Sequence, residues 1–225
     1  MTRKEDNRRP TPEPSLSSAL EGYESKPHTP EFLTATFQAI WKEREARVTD
    51  LLGKPLAPVV TCDRSSDQIA VLERVGRRLG YLPPELATQE SRHILGVIFP
   101  DMQSHSVKEE NKVTNEQVRS GWFDYEATTD APYAGTTEDQ LRESLEGKGR
   151  SGMNVTEYIL AGQDHKLLTG RYLDEGPRYV RLLGSRETDR VVYAHFLSNG
   201  LLRVYANLPS HRQRADLGGR SVRVK

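Results

Sequence analysis

The sequence predicts an α+β fold, with a helical N-terminal part followed by two helices and a C-terminal antiparallel β-meander. Three observations carry this. Capped segments with apolar residues at helical spacing occupy the first half of the 225 residues. Short runs rich in β-branched and aromatic residues, divided by turn residues, fill the stretch after 176. Neither an internal repeat nor a heptad pattern competes with that order.

Taken in order, residues 1–28 are expected to be a disordered tail. They hold Pro10, Pro12, Pro14 and Pro27, mixed charges and a lone aromatic, Tyr23, too little apolar area for a core. Thr29-Pro30-Glu31 starts a helix by supplying an N-cap hydroxyl, a first-turn proline and an acid at the positive helix end. Leu33, Phe37, Ile40, Val48 and Leu51 continue it at helical spacing until Gly53 and Pro55. The capping-box pattern Ser65-Ser66-Asp67-Gln68 starts a second helix, which carries Ile69, Leu72, Val75 and Leu79 before Gly80. Pro83-Pro84-Glu85 starts a short third helix toward Arg92, and 94–99 is either a buried strand or the end of that helix.

The polar segment 103–120 gives no periodic signal. A strand follows over 121–127 with Trp122, Phe123 and Tyr125. Thr136-Thr137 caps a helix holding Leu141 and Leu145; after the glycine-rich link 147–152, Asn154 and Glu157 cap another that Gly170 stops. Strands are expected over 178–184, 190–198, 201–208 and 221–224. The chain then divides into the tail, a helical part over 29–100 and an α+β domain over 120–225, with one composite domain over 29–225 as the alternative.

Asn199-Gly200 reads as a two-residue type I′ hairpin turn, because both central residues must take φ > 0. Pairing Ser198 with Leu201 sets Leu197 opposite Leu202, His195 opposite Val204 and Tyr193 opposite Ala206. Val191, Tyr193, His195 and Leu197 then face the core with Leu202, Val204, Ala206 and Leu208. Ala194, Phe196, Arg203 and Tyr205 fall on the other, mixed face.

Composition narrows the classes. The single cysteine, Cys62, excludes an intramolecular disulfide framework and any multi-cysteine zinc site, which makes a reducing compartment the simpler expectation. The longest nearly apolar run, 94–99, is far short of the ~20 residues a bilayer span needs. The charged start Met1-Thr2-Arg3-Lys4-Glu5-Asp6 has no apolar segment behind it. A soluble, cytoplasmic protein is expected, without membrane partner or cofactor.

Net charge is zero, with 32 basic and 32 acidic residues, but it is unevenly spread. Residues 176–225 carry ten basic residues, nine of them arginine, against Glu187, Asp189 and Asp216, a net of +7. Arginine suits bidentate contact with carboxylate or phosphate. This excess points either to an anionic partner, nucleic acid or acidic protein, or to internal neutralisation by the acidic stretch 101–150.

Two sets of candidate site residues follow. Asp124 and Glu126, at i and i+2 on a strand, share a face; with Asp130 nearby they fit general acid–base work or a divalent cation. The plainer alternative is that they pair with arginines. Arg181, Arg186, Phe196, Arg203 and Tyr205 form the second set, an aromatic–cationic strip fit to stack a base or clamp an anion. Asp164-His165-Lys166 matches a nuclease motif only superficially, since it lies in a helical pattern. His195 on the apolar row reads as a buried neutral ring more readily than a base. The segment 67–92 resembles a helix-turn-helix only loosely, because Pro83 and Pro84 interrupt it and its second half lacks basic residues. The leading expectation is a non-enzymatic binding or regulatory protein; a carboxylate-dependent hydrolase or nuclease is the alternative.

Overall fold

The computed structural model describes residues 15–224. The described part of the expected tail is folded, and the remainder lies outside the described residues. Ser15 caps α1 (Leu16–Leu20) by accepting the Ser18 amide at 3.3 Å, and Tyr23 is buried in the main core. Leu16, Leu20 and Tyr23 supply the apolar area that composition averaged over 28 residues conceals.

Thr29 caps α2 (Pro30–Glu45), accepting from the Phe32 amide at 3.2 Å, and Leu33, Phe37, Ile40 and Trp41 line its buried face. The expected single helix breaks after Glu45. A turn reorients the chain into α3 (Thr49–Leu52), so that Val48 is buried while Leu51 is left exposed, and Gly53 ends it at φ 64°.

The capping box at Ser65/Gln68 starts α4 (Ser66–Arg74) as expected, but this helix stops five residues short of Leu79. Gly76 at φ 72° turns the chain into β1 (Arg77–Leu82), which overrides the helical periodicity by pairing along its full length with another strand. A strand here removes the helix-turn-helix reading. Pro84–Leu86 forms only a 3-10 turn, and α5 (Ile94–Ile98) resolves the 94–99 ambiguity as a helix. After β2 (Val113–Asn115) and β3 (Gly121–Glu126), Thr137 caps α6 (Glu138–Glu146). The short β4 (Ser151–Gly152) precedes α7 (Val155–Thr169), whose start is the Asn154/Glu157 capping box and whose stop is Gly170 at φ 82°. The remaining strands are β5 (Tyr179–Glu187), β6 (Arg190–Phe196), β7 (Leu202–Tyr205), β8 (Leu217–Gly219) and β9 (Ser221–Val224).

The chain is therefore mixed helix and sheet, with two mainly antiparallel sheets. The first has the order β1-β3-β9-β4, and the second β2-β5-β6-β7, with β8 running parallel to β5. The last strand, expected in the meander, belongs to the first sheet. Arg220, between β8 and β9, is where the chain passes from one sheet to the other.

The hairpin at 199–200 is shifted by one residue from expectation. Phe196 pairs with Leu202, His195 with Arg203, Ala194 with Val204 and Tyr193 with Tyr205. The connection is a three-residue loop, Ser198-Asn199-Gly200, closed by Leu197 and Leu201, with Gly200 at φ 90°. Of these three only Gly200 has positive φ, which fits a type I turn ending in a glycine bulge. The slip exchanges the two rows of β6. Val192, Ala194 and Phe196 now face the core with Leu202 and Val204, while Tyr193 and His195 join Arg203 and Tyr205 on the outer face.

Helix α7 is buried around most of its circumference and packs against both β1 and β5. One continuous apolar cluster joins Phe37, Ile40 and Trp41 of α2 to Tyr158 and Ile159 of α7 and to Val192 and Phe196 of β6, so it draws on both expected parts of the chain. A smaller cluster, Leu141, Leu145, Leu183 and Val191, seats α6 on the outer side of the second sheet. No helix among the described residues is long and apolar enough to cross a membrane.

Helix and sheet approach so closely at Gly162 that a Cβ there would lie 2.3 Å from the Phe196 ring. Glycine to alanine inside a helix ordinarily stabilises by about 1 kcal/mol. Gly162→Ala is expected to reverse that sign and destabilise by roughly 1–3 kcal/mol through overpacking. Urea denaturation reads the difference; an unchanged or raised midpoint contradicts the packing described.

Candidate functional site

The paired carboxylates Asp124 and Glu126 lie on one side of β3, as their spacing requires, but they are buried and held by cations. From β1, Arg77 donates through Nε to Asp124 Oδ1 at 2.5 Å, through Nη1 to Glu126 Oε1, and through Nη2 to the Ser221 carbonyl at 2.9 Å. Arg150 bonds Asp124 Oδ1 and donates to Ser221 Oγ at 2.7 Å. Ser221 gives its amide to Glu126 Oε2 at 2.7 Å and its hydroxyl to Oε1. Burial alone raises the Glu126 pKa, but Arg77 and Ser221 outweigh it and hold the group below its ordinary value. Glu126 is thus a fixed anion whose oxygens are taken, and Asp130 stands apart with exposed Arg178 at 3.6 Å. Among the described residues no group of three or more His, Cys, Asp or Glu is arranged to hold a metal ion.

Beside this lies the most enclosed ion pair among the described residues. Arg220 and Asp174 have fully buried side chains, bonded Nε to Oδ2 at 2.8 Å and Nη2 to Oδ1 at 2.9 Å. Arg220 also donates to the carbonyls of Glu126 at 2.6 Å, Thr128 at 2.8 Å and Thr129 at 3.2 Å, and Tyr158 donates to Asp174 at 3.2 Å.

The arginine-rich set divides. Arg181 is buried and donates to the carbonyls of Thr136 at 2.8 Å and Arg212 at 3.0 Å, tying two loops to β5. Burial pulls its pKa down. Arg186 meets Glu116 at 2.5 Å and Glu138 at 3.1 Å, as internal neutralisation by 101–150 requires. Phe196, expected on the mixed face, is fully buried and stacks on Tyr172 with centroids 4.9 Å apart. The one-residue register shift is the reason. Arg203 and Tyr205 do reach the outer face.

Around those two the structure assembles residues that the sequence reading placed in the core or left out. Tyr193 stacks on Tyr205 at 5.2 Å, and Tyr179 sits 4.4 Å from His195 and 5.8 Å from Tyr193. Arg214 lies 5.1 Å over the Tyr179 ring while pairing with Asp216. Tyr179 and Tyr205 are half-buried and Arg203 is exposed, with no acidic partner among the described residues. His195 bonds the Gly176 carbonyl through Nδ1 at 2.7 Å; a carbonyl only accepts, so Nδ1 carries the proton. That Nε2 is buried without a hydrogen-bond partner. The signal that finds this face is alternation: Val192, Ala194 and Phe196 are purely apolar, while Tyr193 and His195 have polar tips.

Other clusters are closed by their own partners. A polar cleft of about 150 Å³ is lined by Arg119, Arg142 and Arg150, but these bond Glu157, Glu138 and Asp124 respectively. Asp164 and His165 are buried in α7, Asp164 on Arg44 at 2.6 Å. Burial, aided by Arg78, lowers the His165 pKa from 6.5 to about 4.

Two expectations follow. Asp174→Asn leaves the Arg220 charge buried without its counter-ion and is expected to cost roughly 3–5 kcal/mol in urea denaturation. For His165 the unfolded chain takes the proton first, so its contribution is present above pH 6.5 and is lost as pH falls toward about 4. His165→Gln is therefore expected to flatten the stability profile across that window, by about 3 kcal/mol at its acid end. Parallel profiles for wild type and variant would refute this.

Comparison with family models, with curated proteins and with solved structures yields no match to this chain.

Proposed function

We propose that the chain is a non-enzymatic binding protein that engages an anionic partner through the outer face of the second sheet. The observation that carries this is the half-buried pair Tyr179 and Tyr205, backed by the buried Tyr193 and His195, beside exposed Arg203, whose guanidinium lacks an acidic counter-ion among the described residues. A cation held at a solvent-facing site and left unpaired attracts anions over a Debye length of about 8 Å at physiological salt. Arg178 and Arg214 add to it, since their bonds to Asp130 and Asp216 join partly exposed side chains and such pairs contribute little net stability.

The carboxylate chemistry weighed against this has weaker support. Asp124 and Glu126 lie beneath Arg77 and Arg150, and their oxygens already accept hydrogen bonds from them and from Ser221. General acid–base work needs a group free to exchange its proton with a substrate.

Heparin chromatography in a salt gradient tests the reading. The wild type is expected to be retained at low salt, and Arg203→Glu to elute distinctly earlier while keeping its circular dichroism spectrum. Lys54→Glu, an equal charge change at an exposed position after α3, is the control and is expected to move less. Equal shifts for both variants would show that net charge alone governs retention and would overturn the assigned face.

A further inference from the structure

Resting on the reading just given, we infer that the partner is a single-stranded nucleic acid whose bases stack on Tyr205 and Tyr179. The arginines alone would suit any anion; the rings do not. Three tyrosines and a histidine share this face, with centroids 4.4–6.4 Å apart, and Tyr205 is backed by Tyr193 at an interplanar angle of 22°. A tyrosine held in place by a neighbouring ring offers a stacking surface with little conformational entropy left to lose. Any base can use it, because every base has a π-face.

The polar groups suit the same ligand. Arg203 lies opposite His195 and two residues before Tyr205 on β7, so its guanidinium emerges beside the ring, about 6.6 Å along the strand. A nucleotide stacked on Tyr205 then brings its phosphate to a cation that has no other counter-ion. The buried His195 ring packs against both tyrosines, its centroid 4.4 Å from that of Tyr179 and 6.4 Å from that of Tyr205.

Duplex fits less well. Reading a duplex calls for a helix or a two-stranded ribbon that enters the major groove. Here the three strands β5, β6 and β7 present a broad sheet face, and helix α7 is enclosed behind it. An acidic protein would use Arg203 and leave the tyrosine array without a role.

The test is fluorescence anisotropy of the full chain with a labelled 12-nucleotide oligo(U), competed by a duplex of the same length and by a poly-glutamate peptide. Tyr205→Ala is expected to weaken oligo(U) binding roughly 5- to 100-fold, with Tyr205→Phe close to wild type, because the ring and not the hydroxyl stacks. Arg203→Ala is expected to lower the slope of log K against log salt by about one. Equal affinity for the Ala and Phe variants, or duplex competing as well as single strand, would overturn the inference. Poly-glutamate binding through Arg203 without oligo(U) binding would overturn it too, while leaving the anion-binding reading in place. If neither oligo(U) nor poly-glutamate binds at low salt, both fail.

Discussion

The fold depends on the buried salt bridge between Arg220 and Asp174 and on the charged cluster beside it. Arg220 occupies the step from β8 to β9, the point at which one sheet hands the chain to the other. Its guanidinium holds Asp174 and the carbonyls of Glu126, Thr128 and Thr129, so one side chain clamps the end of β3 and the loops on either side. The next residue, Ser221, continues into the Arg77–Asp124–Glu126–Arg150 cluster. Three arginines, Arg77, Arg150 and Arg220, face three carboxylates, Asp124, Glu126 and Asp174, so this cluster carries no net charge. Removing ions from water costs several kcal/mol each, and only near-complete pairing and hydrogen bonding offset that. A sheet strand displaced by one residue would strand a charge, and the register of β1, β3 and β9 is tied to this requirement.

That interior demand also sorts the arginines of the last fifty residues. Arg220 is used inside, Arg181 is used on carbonyls, and Arg186 is neutralised by Glu116 and Glu138. A net of +7 over 176–225 therefore overstates the field available to a partner. Beside the aromatic face there remain Arg203 and the loosely paired Arg178 and Arg214, while Arg190, Arg212 and Arg223 are exposed as well. The two sequence readings of the charge asymmetry, internal neutralisation and external binding, each describe a different subset of the same arginines.

The helix starts were legible in the sequence because capping is local chemistry. Thr29, Ser65, Thr137 and Asn154 each accept an amide within three residues, and nothing distant alters that. The end of α4 was not legible. Leu79 continues the apolar periodicity of Ile69, Leu72 and Val75, yet it belongs to β1, whose partner strand lies more than forty residues away. The hairpin register failed for a related reason. Asn-Gly is compatible with a two-residue turn and with the last two positions of a three-residue loop, and the choice rests on which rows of side chains can be buried together. Phe196 decides it, because only one register lets it reach Gly162 and Tyr172. The acid pair at 124 and 126 was visible as a pair, but its arginines come from β1 and from the link after α6, which no local motif announces.

The same packing logic explains why the aromatic face stays open. Helix α7 covers the inner side of the second sheet, and α6 covers one end of its outer side through Leu141, Leu145, Leu183 and Val191. Beyond Arg181, Tyr179 and Tyr205 are half-buried and Arg203 is exposed, so these side chains must tolerate water. Leucine or valine at 179 and 205 would leave an apolar patch that invites indiscriminate association. Tyrosine meets both conditions: its ring packs against neighbours, as Tyr193 does on Tyr205, while its hydroxyl stays hydrogen-bonded, as Tyr193 is to Asn207. Residues that make an uncovered sheet face stable in water are thereby the residues that give a stacked ligand a surface. Structural tolerance alone, however, does not call for Arg203, without an acidic partner among the described residues, beside those rings.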